Sequence, residues 1–231
     1  MKRFSQSLRE RKAAGFLPLI PDFKRVSPKH GELFSGRDPV FCAQRLAALG
    51  APAVSVVTEQ ARFGGSLALL SSICKAVEIP VLRKDFITCR ADLEQTCACG
   101  AQAVLLICAC LDEKTLAALY EDALVLGLEP LVEAHSEKEL AICRSLDARL
   151  VGINNRDILD LERDAGTVAH TAALAAEKPA GALLISESGM ESPADVRRAL
   201  EAGADAALVG TALWRAPDLF TTYCAFGGME K

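Results

Sequence analysis

The sequence lacks any long hydrophobic run. Its 231 residues are 51% hydrophobic, which suffices for one large core, but no stretch approaches the roughly 18 apolar residues that cross a bilayer. Residues 13–20 follow several basic side chains and loosely resemble a signal peptide, but they are broken by Gly15 and Pro18 and are followed by charged residues, not a small-residue cleavage site. We therefore expect a cytoplasmic protein that does not interact with membranes.

An excess of positive charge is also absent. The formal net charge is −4 and the pI is about 5.5, whereas proteins that bind nucleic acids usually carry a clustered basic excess. The charge balance therefore predicts that nucleic acid is not a partner.

No Cys-x-x-Cys pair occurs among the nine cysteines. Two Cys-x-Cys pairs are present, Cys97 with Cys99 and Cys108 with Cys110, but their spacing is not that of a zinc or iron–sulfur site. We interpret the cysteines as buried free thiols that pack as small hydrophobic side chains, which fits a reducing compartment. We expect no metal and no other cofactor.

A Gly-x-Gly-x-x-Gly turn is missing too, which disfavours the alternative of an open doubly wound sheet. The chain instead repeats short apolar runs, each followed by a segment with helical spacing and capping residues. The later runs start 20 to 33 residues apart, as in the βα units of a barrel of about 250 residues. We predict an α/β protein with a single (βα)8 TIM-barrel domain over residues 1–231, in which residues 1–16 form a short N-terminal extension. The predicted strands are 17–23, 53–57, 79–82, 103–107, 130–133, 150–153, 183–186 and 206–209.

Polar and charged side chains follow the predicted strands. The clearest example is the apolar run at 79–82, which ends abruptly in Arg83, Lys84 and Asp85. One such end is readily explained as a solvated turn, but opposite charges at six strand ends are not. Because ligands of α/β barrels bind at the carboxyl ends of the strands, we predict one site that contains Asp22, Lys24, Thr58, Lys84, Glu133, Asn154, Arg156, Asp157, Glu187, Ser188, Gly210 and Thr211.

Two consecutive strand ends favour a phosphate ligand. Ser188 and Gly189 follow the seventh predicted strand, and Gly210 and Thr211 follow the eighth. Glycine lets the backbone approach an anion, helix N-termini present free N–H groups, and barrel enzymes often bind phosphate at these loops. Helix capping is the alternative reading of each pair alone. Together the two loops predict a phosphorylated small-molecule substrate.

Several motifs resemble the strand-end motifs of the indole-3-glycerol-phosphate synthase family. They are LRKDFI (82–87), LVEAH (131–135), VGINNRD (151–157), ISESGM (185–190) and ALVGTALW (207–214), and FKRVSP (23–28) and FGGSLALL (63–70) resemble its first two loops. The family closes the ring of 1-(2-carboxyphenylamino)-1-deoxyribulose 5-phosphate, with loss of CO₂ and water, in tryptophan biosynthesis. The resemblance therefore implies a cofactor-independent carboxy-lyase.

The resemblance also implies roles for individual residues. Lys84 would be the general acid at the substrate carbonyl, with a pKa lowered by nearby cations, Glu133 the acid and base of dehydration, and Lys24 the group that holds the carboxylate. The remaining catalytic residues would be Asp22, Asn154 and Glu187. The substrate would also contact Ser188, Arg156, Phe63, Phe86 and Leu105, and its phosphate would contact Ser27, Gly189, Gly210 and Thr211.

The chain departs from the family in four places, of which the mildest is Ala134, in EAH where the family has EVH. Asp22 stands where the family has Glu, Pro21 replaces a small residue, and only residues 1–16 precede the first strand, where the family has a longer segment with an extra helix over the site. We therefore expect that helical lid to be mostly absent. Two alternatives stay open: a non-catalytic relative that binds a phosphorylated ligand, and a sugar-phosphate isomerase on the same barrel. We expect a monomer, and contacts with other enzymes of the pathway remain open.

Overall fold

A computed structural model describes residues 2–156 and 167–229. Eight parallel strands pair in sequence order, and the first pairs with the last, so that the sheet closes into a barrel. The predicted barrel is thus confirmed. Its strands are β1 (Leu19–Phe23), β2 (Val54–Val57), β3 (Val81–Lys84), β4 (Ala103–Ile107), β5 (Glu129–Ala134), β6 (Leu150–Asn154), β7 (Leu183–Glu187) and β8 (Ala206–Val209).

The third strand differs most from the sequence prediction. Pro80 has no N–H to donate and lies just before β3, whereas Lys84 is part of the strand and pairs with Val57 of β2. Lys84 is therefore held by the ladder of the barrel and does not lie in a loop.

Helices surround the barrel and follow the strands. Several begin at a side chain that accepts backbone N–H groups, such as Asp38, Ser66 and Ser192. A short two-stranded ribbon, Val26–Ser27 with Gly31–Glu32, follows β1. In the described residues the helices are α1 (Phe4–Ala13), α2 (Pro39–Ala48), α3 (Leu67–Ala76), α4 (Arg90–Cys99), α5 (Glu113–Val125), α6 (Glu137–Ser145), α7 (Ala169–Leu174), α8 (Pro193–Glu201), α9 (Thr211–Arg215) and α10 (Leu219–Phe226).

The helix α1 closes the end of the barrel at which the strands begin. Phe4 and Leu8 are buried within the apolar cluster that fills the barrel. Ser5 hydrogen-bonds to Glu129, the first residue of β5, and Lys12 forms an ion pair of 2.6 Å with Asp205, which precedes β8. The helix α1 therefore plugs the end of the barrel opposite the carboxyl ends of the strands, where the site is predicted.

The cysteines divide by environment. All nine are free, and Cys42, Cys74, Cys108 and Cys143 are buried as small hydrophobic side chains, as predicted, whereas Cys89 and Cys110 are exposed. Among the residues that the structure describes, no helix is both long enough and apolar enough to span a membrane.

The plug formed by α1 predicts a large loss of stability in Phe4→Ala. The Phe4 side chain is fully buried, so its removal leaves a cavity and should lower the free energy of unfolding by about 3–5 kcal/mol. Urea unfolding measures the change. Lys2→Ala is the control, because Lys2 pairs with Glu10 on the exposed face of the same helix, and it should leave stability nearly unchanged. Equal stability of the two variants would contradict the plug.

Candidate active site

A cleft of about 880 Å³, including its open mouth, lies at the carboxyl end of the barrel. Residues from the ends of seven strands or from the loops that follow them line it. Most of the predicted site residues are among them: Asp22, Lys24, Phe63, Lys84, Phe86, Leu105, Asn154, Arg156, Ser188, Gly189, Gly210 and Thr211.

The other predicted site residues lie elsewhere. Glu133 and Glu187 are buried beneath the cleft and contact Lys84. Ser27 is buried in the two-stranded ribbon and, in the described part of the chain, is not on the cleft wall, so its contact with phosphate stays a prediction. Asp157 lies outside the described residues.

Alternation along the strands explains why these distant residues meet. Inward-pointing side chains of a (βα)8 barrel form layers of four, each layer supplied by alternate strands. Asp22, Lys84, Glu133 and Glu187 come from the odd-numbered strands β1, β3, β5 and β7. Two residues earlier on the same strands are Ile20, Leu82, Leu131 and Ile185, all in the apolar cluster inside the barrel. The floor of the cleft is therefore a charged layer stacked on an apolar one.

Lys84 is the cation of this charged layer. Its Nζ lies 2.7 Å from Glu187 Oε2 and 3.2 Å from Glu133 Oε2. Burial alone would lower the pKa of Lys84, but Glu187, Glu133 and Asp22 outweigh burial and raise the pKa above its ordinary value. The expected lowering of this pKa is therefore wrong, because the groups that face Lys84 are carboxylates and not cations. The ammonium stays protonated at neutral pH.

The same surroundings affect Glu187. Burial, together with the negative charges of Glu133 and Asp22, raises the pKa of Glu187 to about 7, although Lys84 opposes the rise. Its Oε1 atom is buried without a hydrogen-bond partner among the described residues. Gly152 makes room for this oxygen, because a Cβ at position 152 would overlap it. The glycine in the GIN motif thus leaves the space that the carboxylate of the neighbouring strand occupies.

Asp22 is fixed at the edge of the floor. Its Oδ1 accepts a hydrogen bond of 2.6 Å from Ser55 Oγ, and its backbone oxygen accepts one of 2.7 Å from Trp214 Nε1. Gly210 approaches so closely that a Cβ there would lie 3.1 Å from Asp22 Oδ2. The short carboxylate therefore has a defined position between β1, β2 and β8.

Outward-facing residues support the end of β3. Arg83 is buried and donates hydrogen bonds to Thr58 Oγ1 at 3.0 Å and to the backbone oxygen of Asp92 at 2.8 Å in α4, and it pairs with Asp85 at 3.0 Å. Asp85 also accepts the backbone N–H of Phe86 at 2.9 Å. This network fixes the backbone at the end of β3, on either side of Asp85.

Sequence reasoning missed several residues of the cleft wall, among them Glu59, Met190 and Glu191. Glu59 shapes the loop after β2, because its carboxylate accepts the backbone N–H groups of Ala61, Arg62 and Phe63. Glu59 directly follows Thr58 at the predicted strand end, and this position could have indicated a residue of the site. Glu191 lies 3.4 Å from Arg156, a contact that the sequence could not show.

A closed parallel barrel with a charged cleft at the carboxyl ends of its strands defines a (βα)8-barrel enzyme. Residues 1–223 match the model of the family "Indole-3-glycerol phosphate synthase". The curated relative of that name from Thermococcus kodakarensis is 44% identical, over 87% of this chain and 87% of the relative. The one from Exiguobacterium sibiricum is 40% identical, over 93% of this chain and 82% of the relative. The chain therefore belongs to the indole-3-glycerol phosphate synthase family.

A solved structure supports the fold independently. The thiamine phosphate pyrophosphorylase from Pyrococcus furiosus superposes with a TM-score of 0.66 over 91% of this chain and 93% of its own. Only 14% of the residues are identical, so this similarity concerns the barrel architecture alone.

The raised pKa of Glu187 predicts a specific pH dependence of stability. Between the ordinary pKa of 4.5 and about 7, the folded chain binds more protons at this residue than the unfolded chain. The free energy of unfolding therefore falls as pH rises through this window. Glu187→Gln should remove that fall, which urea unfolding at pH 4.5, 6 and 7.5 would measure. Glu94→Gln, which changes an exposed carboxylate on α4, should keep the wild-type slope; an unchanged slope in Glu187→Gln would contradict the assignment.

Proposed function

We propose that this chain is an active indole-3-glycerol-phosphate synthase. It would close the ring of 1-(2-carboxyphenylamino)-1-deoxyribulose 5-phosphate and release CO₂ and water, as a carboxy-lyase of tryptophan biosynthesis. The observation that carries the proposal is the Lys84 ammonium, held between Glu133 and Glu187 at the floor of the cleft. We also propose that the chain acts in the cytoplasm as a monomer.

Ring closure requires a proton donor at the substrate carbonyl. When the aromatic carbon attacks, the carbonyl oxygen becomes negative, and a fixed ammonium stabilises this charge and can transfer a proton to it. The raised pKa of Lys84 keeps the donor charged before the reaction. Glu187 and Glu133 are hydrogen-bonded to Lys84 Nζ and can return a proton to the lysine after the transfer.

The later steps use other residues of the cleft. Lys24 lies beside the Phe63 ring, with Nζ 5.7 Å from the ring centroid, where it can hold the carboxylate of an aromatic substrate until CO₂ leaves. Dehydration requires one proton to reach the hydroxyl group and another to leave the adjacent carbon. Glu133 is the carboxyl group that we assign to these transfers, because it contacts Lys84 and is otherwise buried.

The walls of the cleft fit the two ends of this substrate. Phe63, Phe86 and Leu105 supply apolar surface for the anthranilate ring. We assign the phosphate to the edge that contains Gly189, Gly210 and Thr211, together with Ser27 of the ribbon after β1. We assign orientation of the substrate to Asp22, Asn154, Arg156 and Ser188 on the cleft wall, and to Glu187 beneath it.

The two alternative functions find less support. A sugar-phosphate isomerase of this kind would need no lysine on β3, yet Lys84 is the centre of the charged layer. A non-catalytic relative was suggested by Asp22, but Asp22 is held by Ser55 and contributes to the pKa of Lys84 and of Glu187. The charged layer therefore contains both the lysine on β3 and a carboxylate on β1, in contact with their neighbours.

A turnover assay of the purified chain tests the proposal. The wild-type chain should convert the carboxyphenylamino substrate into a product with indole fluorescence, and Lys84→Met should lower kcat by about 10²–10⁴, the usual contribution of a general acid. Circular dichroism must show that the variant is folded, because Lys84→Met leaves two buried carboxylates uncompensated.

Two further variants complete this test. Lys84→Arg keeps the charge but changes the donor geometry, so it should fold while remaining slow. Lys114→Met, on the exposed face of α5, should keep the wild-type rate. A wild-type chain without turnover would contradict the proposed function, and full activity of a folded Lys84→Arg and Lys84→Met would contradict the role of Lys84.

A further inference from the structure

Asn155 occupies a position that the proposed reaction does not use. It follows Asn154, whose side chain is on the cleft wall, but its own side chain is only 1% exposed. It packs outside the barrel wall, between the end of β7 and α7, where it meets Ser186 and Thr171. The side chain therefore cannot touch a substrate in the cleft.

The three side chains form a closed cycle of hydrogen bonds. Asn155 Nδ2 donates to Ser186 Oγ at 2.9 Å, the Ser186 and Thr171 hydroxyl groups are 2.7 Å apart, and Thr171 Oγ1 donates to Asn155 Oδ1 at 3.0 Å. The backbone N–H of Thr171 also donates to Oδ1 at 3.0 Å, which fixes the orientation of the amide. Such a fully satisfied buried network is rigid, because each bond polarises the next.

The amide of Asn155 also holds two successive carbonyl groups. Its two Nδ2 hydrogens serve three acceptors, so one hydrogen is shared: besides Ser186 Oγ, Nδ2 lies 2.9 Å from the backbone oxygen of Glu187 and 3.2 Å from that of Ser188. In an extended strand successive carbonyls point in opposite directions, so the chain has to turn between them. Ser188 makes this turn with a φ of 64°, a left-handed conformation that is uncommon for residues other than glycine.

The planarity of the peptide bond determines where the N–H groups of this turn point. In a trans peptide the N–H points opposite to the C=O. Because the carbonyls of Glu187 and Ser188 face Asn155, the N–H groups of Ser188 and Gly189 face the other way, towards the cleft that both residues line. Adjacent backbone N–H groups that point to one side form an anion-binding concavity.

We propose that Asn155 is a positioning residue that holds the turn at Ser188 and Gly189, so that two backbone N–H groups face the substrate phosphate. The inference rests on the proposed function for the identity of the ligand, but the geometry requires only a phosphate group. The backbone N–H of Asn155 independently bonds to the Glu187 oxygen at 2.8 Å and survives any substitution of the side chain. Loss of the Asn155 side chain should therefore weaken phosphate binding, while it should disturb the ion pair between Lys84 and Glu187 much less.

Asn155→Asp and Asn155→Ala test the inference. Asp keeps the size and the acceptor for Thr171 but places an oxygen opposite the two carbonyls, and Ala removes the amide altogether. Both should raise KM and weaken the binding of inorganic phosphate by about tenfold, the effect of losing one hydrogen bond to a charged group, while kcat changes much less. Calorimetric titration with inorganic phosphate and steady-state kinetics measure the two effects.

Tyr223→Phe is the matched control. It removes another buried hydrogen bond, from Tyr223 to the Leu19 oxygen at 3.3 Å, far from the turn, so it should lower the melting temperature without changing KM or phosphate affinity. Unchanged phosphate affinity in both Asn155 variants, or a loss equal to that of Tyr223→Phe, would overturn the inference. A wild-type chain that binds phosphate without turnover would contradict the proposed function alone, and a wild-type chain that turns over the substrate without binding phosphate would contradict the inference alone.

Discussion

The contact between Lys84 and Glu187, at 2.7 Å, is the interaction on which the site depends. Glu187 is fully buried and Lys84 is largely buried at the top of a packed barrel, where an isolated charge would be very costly. The lysine offsets the charge of Glu187 and Glu133, and the carboxylates keep the lysine protonated. The apolar layer beneath them, Ile20, Leu82, Leu131 and Ile185, keeps water from the floor. The fold therefore holds the Lys84 ammonium at a defined position on the floor of the cleft, with little freedom to move.

At the strand ends, side chains that face the cleft alternate with side chains that support them from outside the barrel. Residues that point inward, such as Lys84 and Asn154, face the cleft, and their outward neighbours fix them from behind. Arg83 joins the end of β3 to α4, and Asn155 joins the end of β6 to β7 and α7. In both cases a long or branched polar side chain is buried between the sheet and the helices and satisfies backbone carbonyls there. Because these contacts are short and buried, a substitution of Arg83 or Asn155 should alter the position of the neighbouring residues of the cleft.

The sequence could predict the barrel and most of the cleft because both follow from local patterns. Strand ends, glycines and charges are visible in the chain, and the barrel brings them to one rim. The pKa of Lys84 could not be predicted, because it depends on which side chains face it across the barrel. The position of α1 could not be predicted either, because its two anchors, Phe4 and Leu8, are a weak apolar signal in a basic segment. The Asn155 cycle requires Thr171, which no local motif connects to it.

Asp22 shows how a departure from the family pattern can be accommodated. A side chain shorter by one methylene places its carboxylate about 1.5 Å nearer to the barrel wall. There it finds Ser55 Oγ at 2.6 Å, on the paired strand, and the space left by Gly210. It remains close enough to raise the pKa of both Lys84 and Glu187. The charge of the layer is therefore conserved while the reach of one member is reduced, so the shorter residue should affect how tightly the substrate is held near β1 more than whether Lys84 is protonated.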